Sequence, residues 1–203
     1  MSNAKPVSIC VFIGSSLPKN PSFSEAATKL GQEIAFRQHT LVYGGSSRGM
    51  MGLLADAVLQ STPPSKVIGV LPESMKNHEF QHDNLTELHI TDSMHSRKAK
   101  MEQVSDAFLV LPGGIGTMEE FFEIYTWLQL SIHSKPIGLI NIDGYFDGIL
   151  AWLKRSVSEG LVNQLMFDNL IVVDSVVEAV QQVEERIQLG ANGVKGQYGI
   201  KWN

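Results

Sequence analysis

The chain has 203 residues, 43% of them hydrophobic and 18% charged, which suits one globular domain with a sizeable core and excludes a disordered chain. Its formal net charge of −5 argues against a nucleic-acid surface, which needs Lys and Arg clustered on one face; a local pocket can still take an anion. No apolar stretch is long enough to span a bilayer, and Met1–Pro6 lacks an apolar signal core, so a cytoplasmic protein without a membrane partner is expected.

Short apolar runs alternate with amphipathic stretches along the chain. Val7–Ile13 reads as a buried strand ending at Gly14-Ser15-Ser16. It contains Cys10, the single cysteine, which can form no internal disulfide and reads as a small buried side chain. Pro21-Ser22 opens a helix to about Gln38, and Thr40–Tyr43 is the second strand. The turn from Gly44 to Gly49 leads into a helix from Met50 to Gln60, and Val67–Leu71 is the third strand. Pro72 to Asn84 is a polar connection, and Glu87–Ile90 a short strand. Ser93 to Val104 is helical and Ala107–Leu111 a buried strand. After Pro112-Gly113-Gly114-Ile115-Gly116 a helix runs from Thr117 to Ile132. Pro136–Asn141 is a strand, Tyr145 to Val157 a helix, Leu170–Val173 the last strand and Val176 to Leu189 the last helix.

Continuous apolar strands alternating with helices predict a Rossmann-like, doubly wound, mostly parallel sheet with helices on both faces, as one α/β domain over residues 7–189. The remainder, 190–203, carries four glycines and no apolar period and reads as a loosely ordered tail.

In such sheets ligands bind beyond the carboxyl ends of the strands. Three glycine turns fall there: Gly14-Ser15, the turn opened by Gly44-Gly45, and Gly113 to Gly116. The last opens a helix after a buried strand, where free N–H groups and the positive helix end form a phosphate cradle. No Lys follows the glycines, so it is not a Walker loop. Glu119 stands where a dinucleotide fingerprint has its third glycine, which points to a mononucleotide. Thr117 can add a hydroxyl or cap the helix. Glu119 and Glu120 fall in its first turn; one acid there complements the helix dipole, but a second beside a phosphate suggests a task. Arg97 and Lys98 start the preceding helix against its dipole, which marks them as ligand contacts rather than a solvated basic face.

The blocks YGGSSRGMMG (Tyr43–Gly52), MHSRKAKM (Met94–Met101) and PGGIGTMEE (Pro112–Glu120) resemble the signature blocks of the Lonely Guy (LOG) family, cytokinin-activating nucleoside 5′-monophosphate phosphoribohydrolases often mislabelled lysine decarboxylases. The resemblance runs from about Val7 to Leu189. It implies that Arg97 and Glu120 are the catalytic pair. It implies substrate contacts from Glu79, Lys98, Gly113, Gly114, Ile115, Gly116, Thr117, Met118, Glu119 and Thr126. It also implies a Rossmann-like fold and a homodimer with sites near the interface. Ser46-Ser47 departs from the third glycine that many members carry, which leaves the contacts of that turn open.

The residue types fit that chemistry. N-ribosidic cleavage passes through an oxocarbenium-like sugar. A carboxylate such as Glu120 can stabilise that charge and orient or deprotonate water. Arg97 would hold the substrate or keep Glu120 ionised. Neither metal nor cofactor is implied.

Gly45-Ser46-Ser47-Arg48-Gly49 matches the nucleophile-elbow pattern of a serine esterase, with Ser47 as nucleophile, but no histidine follows His133 to complete the usual order. A molybdenum-cofactor carrier or other non-catalytic nucleotide binder shares the fold and glycine turn, but has no need of Arg97 and Glu120. Ser16-Leu17-Pro18-Lys19 matches S-x-x-K without its companion motifs. Lys19, Lys29 and Lys66 are poorly placed for a Schiff base, and His78 and His82 read as a surface pair rather than a metal site. Trp127 and Trp152 read as core or interface residues.

Overall fold

The computed structural model describes residues 5–76 and 81–191. Its centre is a seven-stranded sheet of β1 (Ser8–Phe12), β2 (Thr40–Tyr43), β3 (Val67–Pro72), β4 (Glu87–Thr91), β5 (Ala107–Val110), β6 (Ile137–Ile140) and β7 (Ile171–Val173), in the spatial order β4-β3-β2-β1-β5-β6-β7. Every neighbouring pair is parallel, so the sheet is wholly rather than mostly parallel.

The apolar strands follow from burial on both faces. Ile9, Val11 and Ile13 enter one core, whereas Cys10 and Phe12 enter the other, as the period of two dictates. The first core lies under α1 (Pro21–Phe36), α2 (Gly49–Leu59) and α8 (Val176–Ala191). The second is covered by α4 (Met94–Gln103), α5 (Ile115–Gln129), α6 (Asp147–Ser158) and α7 (Gln164–Asp168). Helix α3 (Glu73–Lys76) is a single turn after β3. A short 3-10 turn, Ile142–Gly144, precedes α6.

The sheet order reverses between β1 and β5. The chain leaves β1 for α1 on one face and leaves β5 for α5 on the other, which opens a crevice at their carboxyl ends. Gly14 N–H donates to Pro112 O at 3.3 Å across that point.

Several boundaries differ from the sequence reading. Helix α5 begins at Ile115, two residues earlier than expected, with Gly114 as N-cap. Thr117 therefore does not cap it, and Glu119 and Glu120 sit in its second turn. Helix α4 begins at Met94, capped by Ser93, whose side chain and that of Ser96 form a reciprocal capping box. Arg97 and Lys98 are its fourth and fifth residues, and Arg97 N–H donates to Ser93 O at 3.0 Å. His82 is buried rather than on the surface; its Nδ1 accepts from Asn84 N–H, and its Nε2 donates to Asp56 Oδ1 at 3.2 Å. His78 lies outside the described residues. So does the tail beyond Ala191, while Gly190 and Ala191 belong to α8.

Candidate active site

The rim above the β1–β5 crevice is built by backbone approach. Gly49 has φ +55°, and a Cβ there would stand 2.3 Å from Ser15 O, so the turns after β1 and β2 touch only because it is glycine. A Cβ on Gly14 would stand 3.2 Å from Gly113 Cα, which brings the turn after β5 against the same spot. A Cβ on Gly44 would lie 2.3 Å from an Arg97 Nη2, so the missing side chain leaves room for the guanidinium. Gly45, at φ +78°, opens the turn whose residue Ser46 bridges to Gln81.

Gly114 and Gly116 have open space where a Cβ would be, and Ile115 is 91% exposed. Met118 N–H is the donor that reaches Gly114 O, at 3.2 Å. The N–H groups before it are those that a helix start leaves open. Thr117 is buried, packed over Gly113, and Met118 packs on the core beneath α5.

Three ion pairs join α4 to α5 beside this loop. Arg97 Nη1 donates to Glu120 Oε1 at 2.7 Å and Arg97 Nε donates to Val70 O at 3.0 Å. Both side chains are buried. Burial pushes the Glu120 carboxyl above its ordinary range; the Arg97 charge and hydrogen bond oppose that rise without cancelling it. A carboxyl so tuned sits closer to the pH at which proton transfer is useful.

Lys98, also buried, donates to Glu119 Oε1 and lies 3.0 Å from Glu123 Oε2. Burial by itself would lower this ammonium, but Glu119 and Glu123 outweigh it and hold it above its usual value. Lys98 is therefore a fixed cation. Glu119 is half exposed and Glu123 mostly covered.

The structure thus gathers Arg97, Lys98, Glu119, Glu120 and the Gly113–Met118 loop at one rim, with Gly14, Ser15, Gly44 and Gly45 in the turns beside it. Thr126 is exposed on the Glu119–Glu123 face of α5, seven residues beyond Glu119, or about 10 Å along the axis. Glu79 lies outside the described residues. Two neighbours of the site were not singled out from sequence. Glu123 is one, and Tyr145, whose hydroxyl donates to Gly113 O at 2.6 Å, is the other.

Comparison with known proteins decides the family. A family model described as "Possible lysine decarboxylase" matches residues 51–183. A cytokinin riboside 5′-monophosphate phosphoribohydrolase of Arabidopsis thaliana is 43% identical over 87% of this chain and 81% of its own length. The chain belongs to the LOG family. A probable cytokinin riboside 5′-monophosphate phosphoribohydrolase of Oryza sativa subsp. japonica is 42% identical over 87% of this chain and 78% of its own. Among solved structures, the molybdenum cofactor carrier protein of Chlamydomonas reinhardtii superposes with a TM-score of 0.67 at 20% identity, covering 91% of this chain and 99% of that one. At that identity the likeness extends to the fold alone.

The LOG blocks read from sequence are the segments that meet at the rim: the turn after β2, the α4 pair and the β5–α5 loop. The serine-esterase reading finds no support. His39, His82, His89 and His133 have ring nitrogens committed to Glu184, Asp56, Glu87 and Ile124 O respectively. His95 stands exposed on α4.

Proposed function

We propose that this LOG protein hydrolyses the N-ribosidic bond of an adenosine-type nucleoside 5′-monophosphate, releasing free base and ribose 5-phosphate. The single observation that carries this is the buried Arg97–Glu120 pair beside an open, glycine-lined helix start. The names of the relatives support the same chemistry.

The 5′-phosphate takes the N–H groups before Met118, with Lys98 supplying fixed positive charge nearby. The ribose then lies toward Glu120. As the bond to the base lengthens, positive charge grows on the sugar, and the Glu120 carboxylate stabilises it and orients water for attack. Arg97 keeps Glu120 ionised and in place. Glu119, half exposed, contacts substrate rather than bond-making atoms, and Thr126 and Glu79 contribute further substrate contacts. Gly14, Ser15, Gly44 and Gly45 line the crevice as lesser contacts.

A decarboxylase using a Schiff-base lysine fits poorly. Lys98 is the buried lysine among the described residues, and its ammonium is held protonated by two carboxylates, the opposite of an activated amine. A non-catalytic cofactor carrier would leave the Arg97–Glu120 pair without a task.

The test is to incubate the protein with AMP, N6-isopentenyl-AMP and adenosine and to assay free base. Either nucleotide should be turned over, and adenosine about 100-fold less efficiently, because the cradle and Lys98 have nothing to hold. Equal turnover of adenosine and AMP would contradict the phosphate assignment. AMP binding without turnover of either nucleotide would favour the carrier reading.

The same protein assembles as a homodimer or a multiple of it. Leu130 and Ile132 after α5 and Trp152 on α6 are exposed apolar side chains, at 46%, 60% and 54%. Trp127 packs partly on the core, one of the two places expected for it. Light scattering should give at least twice the 22.3 kDa chain mass. A strictly monomeric mass would contradict it.

A further inference from the structure

The β6–α6 connection is built around one ring. Asp143 and Gly144 both take left-handed backbone conformations, at φ +51° and +70°. Asn141 Oδ1 accepts from Phe146 N–H at 2.7 Å, and Asn141 Nδ2 donates to Asp147 Oδ1 at 2.8 Å. Asn20 Nδ2, in the connection between β1 and α1, donates to Asp143 Oδ2 at 2.8 Å. These bonds tie the connection to the opposite side of the crevice and present Tyr145 above it. The ring packs edge-on against Phe23 of α1 and Phe146, with centroids 5.2 and 5.1 Å apart. Its hydroxyl donates to Gly113 O at 2.6 Å.

A trans peptide points its C=O and its N–H in opposite directions. Holding Gly113 O toward Tyr145 therefore aims the Gly114 N–H away from it, out of the same peptide plane. Gly113 and Gly114 have little intrinsic preference to keep that plane, since glycine adopts both signs of φ readily. A Cβ on Gly113 would meet Thr117 Oγ1 at 2.1 Å, whereas one on Gly114 would face open space; Gly114 is tied through its O, which accepts from Met118 N–H at 3.2 Å. The hydroxyl of Tyr145 is the side-chain donor described on the Gly113–Gly114 peptide.

We propose that Tyr145 is a positioning residue: it locks the Gly113–Gly114 peptide so that the Gly114 N–H is preset toward the 5′-phosphate of the nucleotide. This rests on the phosphate-cradle reading above. It concerns binding of the phosphate and not the chemical step, because Tyr145 has no contact with Arg97 or Glu120 among the bonds described.

Tyr145→Phe tests it, since the ring packing on Phe23 and Phe146 is kept and only the hydroxyl goes. Losing one hydrogen bond that presets a donor should weaken AMP binding about 5- to 10-fold. The competitive inhibition constant of inorganic phosphate should weaken by a similar factor, while affinity for adenosine, which lacks phosphate, stays at the wild-type level. In turnover the loss should appear in KM with kcat nearly kept. Calorimetry reads affinity whether or not the protein turns AMP over. A Tyr145→Phe variant that loses AMP affinity in a protein inactive toward AMP would uphold the positioning role and remove the hydrolase reading. Wild-type AMP affinity in Tyr145→Phe, or equal weakening for AMP and adenosine, would overturn the proposal. Tyr145→Leu, which also deletes the ring, should lower the melting temperature well below that of Tyr145→Phe, which loses only one hydrogen bond.

Discussion

Glu120→Gln is expected to remove most of the turnover of AMP while leaving its binding nearly intact. The swap preserves shape, and the amide oxygen can still accept from Arg97 Nη1, so the α4–α5 contact survives. It deletes the negative charge that an oxocarbenium-like sugar needs, and a neutral amide is no base for water. Loss of general-base action alone is worth about 10²–10⁴-fold, and lost charge stabilisation adds to that. The ground-state nucleotide carries no such positive charge on its sugar, so affinity should shift by a few-fold at most. The swap leaves the buried Arg97 guanidinium without a counter-charge, so melting must be followed for this variant too. Glu119→Gln is the control. Glu119 is half exposed and paired to Lys98, so its loss should act on binding more than on rate. Single-turnover release of free base, with calorimetric AMP affinity for each variant, checks both. Wild-type turnover by Glu120→Gln would void the assignment of Glu120.

Arg97→Ala is expected to be comparably inactive at neutral pH, by about 10²-fold or more, but for a different reason that pH exposes. Burial raises Glu120 and Arg97 restrains the rise. Activity that needs ionised Glu120 falls as pH drops through that raised value. Removing Arg97 deletes the restraint, so the value climbs further and the acid limb of kcat moves to higher pH. The deficit should therefore be largest in acid and shrink as pH rises, whereas Glu120→Gln should be inactive without such recovery. Breaking a buried pair by removing one partner also costs about 3–5 kcal/mol of stability, so melting must be followed alongside. Arg97→Lys, which keeps the charge, should restore the acid limb toward wild type, although one ammonium cannot serve both Glu120 and Val70 O as the guanidinium does. An Arg97→Ala profile with an unmoved acid limb would show that Arg97 does not act through Glu120.

Much of the fold was legible in the chain because burial on both faces writes strands as uninterrupted apolar runs. Val7–Ile13 and Ala107–Leu111 are such runs, and they became the two central strands that flank the crevice. The glycine turns were legible because glycine is what close backbone approach demands: at Gly49 a side chain would be strained and would clash with Ser15, and Gly14 and Gly44 give similarly tight contacts. The start of α5 was misplaced because its cap, Gly114, bears no side-chain acceptor to announce it. Helices α3 and α7, of four and five residues, are too short to show a period.

The candidate site was legible in part. Arg97 and Glu120 lie 23 positions apart, and nothing in spacing alone brings them together; the family blocks did. Glu123 reads as an ordinary helix acid until Lys98 is found buried against it. Tyr145 is 32 positions from Gly113 and belongs to no recognised block, so its contact depends on the crossover that places β6 beside β5. A polar connection without period gives no sign that His82 is buried and hydrogen-bonds Asp56.

Cleavage of the N-ribosidic bond of AMP leaves a base and ribose 5-phosphate, whereas cleavage at the phosphate leaves a nucleoside. The most direct measurement is the product ratio after incubation of the wild-type protein with AMP, resolved by chromatography against the Glu120→Gln variant. Free adenine and ribose 5-phosphate should appear in equal amounts with wild type and nearly vanish with the variant. Release of adenosine and inorganic phosphate instead, or stable AMP binding with no product, would contradict it.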